Sequence, residues 1–164
     1  MQASCDSSHF VLYICFAFEE HNLRGYRVKP TPFDEQKDYA PTPFDRDHCE
    51  FAVRLKEAGL RWWVHVGCFA WDRDGFLTES SPLPNRIYFI LNLSHFARLL
   101  GGVPEISKKL VWLPTWHQAR LLCRQYGIPD EDVAAIWSSP EPMGPGDELL
   151  ALYQLLLHKL QQSR

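Results

Sequence analysis

The chain has 164 residues, 46% of them hydrophobic and 23% charged, the makeup of a single folded domain over 1–164 with a real core. A formal net charge of -3 withholds the basic excess that duplex nucleic acid binding draws on, so nucleic acid is not an expected partner. Five Cys is an odd number, scattered and without a C-x-x-C pair, which points to a reduced, cytoplasmic setting.

Residues 1–8 are small and polar, with little to bury, and read as a loose N-terminus. His9–Phe18 is apolar throughout and rich in β-formers, which predicts a buried strand. It is too short to span a bilayer and lacks the basic start of a secretory signal, so no membrane association is expected. Glu19–Ala40 is a polar, irregular connection carrying Gly25, Pro30 and Pro32. Within it, Pro30-Thr31-Pro32-Phe33-Asp34 recurs as Pro41-Thr42-Pro43-Phe44-Asp45. Hydroxyl, Pro and acid in that order make a helix start, and the second copy predicts a helix over Pro43–Ala58, ended by Gly59. The competing reading of the repeat is a Pro-rich docking peptide.

Arg61–Trp71 is the densest aromatic run and predicts the central strand of a sheet. Alternation puts Trp62, Val64, Val66, Cys68 and Ala70 on one face and Arg61, Trp63, His65, Gly67, Phe69 and Trp71 on the other. Neither face is polar, so both should be covered. Trp63, His65, Phe69 and Trp71, with a gap at Gly67, form a candidate slot for a planar ligand.

Asp72–Gly75 reads as a hairpin turn leading to a return strand near Phe76–Glu79; the spacing of a calcium loop is missing. After the loop Ser80–Asn85 comes a strand, Arg86–Leu93. Ser94 is the expected N-cap of a helix over His95–Leu100, stopped by Gly101-Gly102. Leu110–Leu113 is a short strand. Thr115 and Gln118 form a capping box for a helix reaching Tyr126 and ending at Gly127. Pro129–Trp137 is a further short helix, 138–146 a Pro-rich linker, and Asp147–Gln162 the last helix. That last helix has an apolar arc on Leu149, Leu152, Leu156 and Leu160, which either buries in the domain or pairs with a second copy. The sum is an α+β fold: a mostly antiparallel sheet of four or five strands covered by helices, with a helical C-terminal third.

The chemistry-bearing residues make no strong motif. His48-Cys49 is the nearest thing to a metal pair, but neighbours on a helix point about 100° apart. His65 and Cys68 fall on opposite strand faces. No P-loop, dinucleotide fingerprint or nucleophile elbow is present, so no catalytic residue, metal or cofactor is expected. An enzyme would have to use His65 with Asp72 or Glu79 across the turn, and a small-molecule sensor the same aromatic slot. The Lys108–Arg124 stretch is locally basic and aromatic, and Trp116, Arg120 and Arg124 share a helix face. Trp and Arg dominate interface energetics, so the sequence points to a binding or regulatory protein with a protein partner or a homodimer.

Overall fold

The computed structural model describes residues 42–81, 83–138 and 143–163, all within the unit Ala40–Arg164 into which the chain's contacts divide it. The loose N-terminus expected at 1–8, the strand at 9–18, the connection at 19–40, the first copy of the repeat and residues 139–142 of the linker lie outside the described residues.

Helix α1 spans Arg46–Glu57, and Asp45 starts it. The Asp45 carboxylate accepts from the His48 backbone N–H at 3.0 Å, so the cap is the last residue of the repeat rather than Thr42. Gly59, at φ 92°, ends it with the left-handed turn that a Cβ would resist. One side of α1 buries His48, Cys49, Ala52 and Leu55.

The sheet has three antiparallel strands among the described residues, in the order β2-β1-β3: β1 is Phe69–Trp71, β2 is Ile87–Phe89 and β3 is Val111–Leu113. Phe69 lies opposite Phe89 and Leu113, and Trp71 opposite Ile87 and Val111. The expectation of four or five strands is corrected to this smaller sheet. Three of the expected strands shorten, Leu110–Leu113 by a single residue, and one does not form. The apolar run at Arg61–Val66 has no ladder partner, because Gly67 turns the chain at φ 94° just before β1. Phe76–Glu79 stays a loop because the Asp72 carboxylate takes the backbone N–H groups of Gly75, Phe76 and Leu77. The strand expected at Arg86–Leu93 ends at Phe89, since helix α2, Leu93–Leu100, already begins there with Asn92 rather than Ser94 as its cap.

The middle position of β1 and the cover on both its faces agree with the sequence. Ile87, Val111 and Leu113 join α1, α4 (Trp116–Gln125), α5 (Asp130–Trp137) and α6 (Pro145–Gln162) in one core, with Phe69 and Trp71 packed against it. On the other face, Cys68, Ala70, Tyr88 and Ile90 pack with Phe96 and Leu100 of α2 and Ile106 of α3 (Val103–Lys109). The fold is thus mixed helix and strand, with helices on both sides of a small antiparallel sheet. No helix among the described residues is long and apolar enough to cross a membrane.

Helix α6 runs through the centre of the larger core, packed against α1 and α4. Leu149, Leu152 and Leu156 are fully buried and Leu160 nearly so. Each such burial is worth about 1.5–3 kcal/mol. The leucine arc is therefore spent inside the chain, and the face drawn up for a second copy is occupied by the chain's own helices. Two polar contacts fix α6 in place. Tyr153 donates its hydroxyl to the Pro114 carbonyl at 2.6 Å, and His48 Nε2 donates to the Gly146 carbonyl at 3.0 Å.

Candidate functional site

The Thr115 hydroxyl accepts from the Gln118 backbone N–H, and the Gln118 side chain accepts from the Thr115 N–H, so α4 starts at Trp116 as its capping box predicts. The helix buries Ala119, Leu122 and Cys123. The stripe Trp116, Arg120 and Arg124 runs along the edge of that buried side, with Trp116 and Arg124 exposed and Arg120 half-buried. Gly127, at φ 67°, lets the chain turn after α4, and Ile128 closes the turn by donating to the Cys123 carbonyl at 2.9 Å.

The turn leads into α5, whose last residue, Trp137, comes back beside Trp116. The two indoles meet edge to face, with centroids 6.3 Å apart and planes at 79°. Arg120 lies with both rings, its guanidinium carbon 5.8 Å from the Trp116 centroid and 5.7 Å from that of Trp137. Trp116 remains 43% exposed and Trp137 42% exposed. Asp130 stands at the start of α5, 3.8 Å from Arg120 and 3.7 Å from Arg124, too far for tight pairing. The result is an aromatic and cationic face built by two helices. Trp116, Arg120 and Arg124 were legible in the helix period. Trp137 was not, because only the turn at Gly127 brings it there.

The slot expected at Trp63, His65, Phe69 and Trp71 does not form a row. Phe69 and Trp71 share a face of β1, and Phe69 packs on Phe44 at 5.3 Å and Phe89 at 4.7 Å. Trp63 is 78% exposed, and exposed His65 bonds the neighbouring Val66 carbonyl at 2.7 Å. A strict period of two holds only where the chain is a strand, and the turn at Gly67 separates the pairs. The carboxylates proposed to assist His65 are engaged elsewhere. Asp72 is buried with its own loop, and Glu79 bonds His95 Nε2 at 3.0 Å.

His48 and Cys49 are both buried, and His48 bridges Asp45 and Gly146. Burial pushes the Cys49 thiol up to about 12, with the Asp45 and Glu50 charges adding to it. Burial likewise pushes Cys123 to about 11, against the opposing pull of Arg120. Neither thiol is a nucleophile at neutral pH. Cys68 is buried and accepts from Trp62 Nε1 at 3.5 Å. Among the described residues no group of three or more His, Cys, Asp or Glu is placed to hold a metal.

No protein-family model matches this chain, and neither a curated protein nor a solved structure is significantly similar to it.

Proposed function

We propose that this chain is a binding module that engages another protein through the face made by Trp116, Arg120 and Trp137. The observation that supports the reading is the pair of half-exposed indoles on adjacent helices, with one guanidinium beside both. Indole and guanidinium are the groups that most often carry interface energy. Each ring holds the other, so little side-chain freedom is lost when a partner arrives. The remaining chemistry agrees with contact rather than bond-making, since the buried thiols are held protonated and the carboxylates near β1 are already engaged.

The test is site-directed photocrosslinking in the native host, with a benzophenone amino acid in place of Arg124 and, as a control, in place of exposed Arg46 on α1. The expected result is a discrete adduct from position 124, absent from position 46, that disappears when Trp116 and Trp137 are both changed to Ala. Equal adducts from both positions, or an adduct indifferent to the Trp changes, would overturn the reading.

A further inference from the structure

A separate concavity of about 470 Å³ opens between α1, the segment that follows it, the end of α3 and β3. Trp62, Trp63 and Trp112 line it, with Lys56, Arg61 and Ser107 among them. Its volume lies in the range of small-molecule sites.

Two of the rings are set in advance. Trp62 and Trp112 lie parallel, with 6° between their planes and centroids 6.2 Å apart. Trp62 is held by its bond to the Cys68 sulfur, and Trp112 by its place opposite Ala70 in the sheet. Trp112 Nε1 is buried and has no hydrogen-bond partner among the described residues.

One of the cations, Lys56, is also set. Lys56 Nζ donates to the Lys108 carbonyl at 2.7 Å and the Leu110 carbonyl at 2.9 Å, so two of its three donors are used and its head is fixed. Among the described residues no carboxylate lies within ion-pair reach of Lys56 or Arg61, and Arg61 has no side-chain partner. Burial holds the Lys56 pKa below its ordinary value, against the pull of Asp74, so an added negative charge would be welcome there.

We infer that this cavity binds a small planar aromatic anion, its ring against the indoles and its charged group toward Lys56 and Arg61. A neutral aromatic would bring no negative charge to Lys56 and Arg61. A non-aromatic anion would leave the rings unanswered.

The test follows the indole N–H signals of the full chain by proton–nitrogen NMR, assigned through single Trp→Phe variants, with affinity from calorimetry. The probes are naphthalene-2-carboxylate, its neutral carboxamide and cyclohexanecarboxylate. The aromatic anion should move the Trp62 and Trp112 signals and bind about tenfold more tightly than either other probe, the scale of one charge-assisted contact. Arg61→Gln, at an exposed position, should remove about threefold of that preference, weakening the acid more than the carboxamide. Lys56→Gln should remove more. Still Trp62 and Trp112 signals at millimolar probe, equal binding of acid and amide, or an Arg61→Gln protein that keeps the full preference would each overturn the inference.

Discussion

The buried carboxylate of Asp72 accepts from the guanidinium of Arg86 at 2.8 Å, joining the two ends of the connection between β1 and β2. The same carboxylate takes three backbone N–H groups, from Gly75, Phe76 and Leu77. Arg86 also donates to the Leu77 carbonyl at 2.9 Å. Asn85 and Arg86 sit at φ 59° and 60°, a left-handed pair that costs about 1 kcal/mol or more for each non-Gly residue. Asp72 is the fixed point that holds this strained corner and sets where β2 begins.

Asp72→Asn keeps the shape but leaves one oxygen to serve four donors and removes the charge. The variant should lose about 2–3 kcal/mol of unfolding free energy, read as a lower urea midpoint at unchanged slope. Arg86→Met should lose less, because the three backbone N–H groups still answer the carboxylate. A variant Asp72→Asn as stable as the parent would remove the corner from the account of the fold.

The acid limb of stability should carry the same signature. Burial alone would raise the Asp72 carboxyl, but the Leu77 N–H, Arg86 and the Phe76 N–H together outweigh it and hold it below its ordinary 3.8. A folded-state pKa below the unfolded one means the unfolded chain binds protons first as the pH drops. The stabilisation is therefore complete above 3.8 and lost as the pH falls below that value through the folded pKa. Urea midpoints measured across the acid range should fall less steeply for Asp72→Asn than for the parent.

Leu156→Glu separates two roles of α6. Leu156 is fully buried against the chain's own helices, so the substitution puts a carboxylate into a sealed core. The expected outcome is loss of the fold, seen as a collapse of the helical circular dichroism signal at any concentration. A folded variant that merely changes size in light scattering would restore the second-copy reading of that face.

Much of the helical part was legible because caps and stops are local. Thr115 and Gln118 announce α4 without reference to anything distant, and Gly59 and Gly127 end helices by their own conformational freedom. The start of α3 carried a signal too, Pro104 in the first turn, but Gly101-Gly102 reads as a stop with nothing after it. Strand extent was not legible in the same way. Arg61–Val66 has strand composition, yet a strand exists only where neighbours complete its ladder, and β2 and β3 flank Phe69–Trp71 alone. The face at Trp116 shows both cases. Its helix stripe follows from spacing, whereas the partner Trp137 and the parallel Trp62 and Trp112 depend on tertiary returns of the chain.

The two buried thiols of the larger core predict an alkaline limb. Burial raises Cys49 to about 12 and Cys123 to about 11, from an ordinary 9.0. The unfolded chain then gives up these protons before the folded one does. Their contribution is fully present below 9.0 and drains away as the pH climbs toward the folded values. Cys49→Ala with Cys123→Ala leaves small cavities and lowers stability at neutral pH, but it should flatten the decline above pH 9.0. Iodoacetamide labelling with peptide mapping offers an independent check. In the folded chain both positions should resist the reagent at mildly alkaline pH, and both should label when urea opens the core. Prompt labelling of Cys49 in the native protein would mean that the seal between α1 and α6 is not closed.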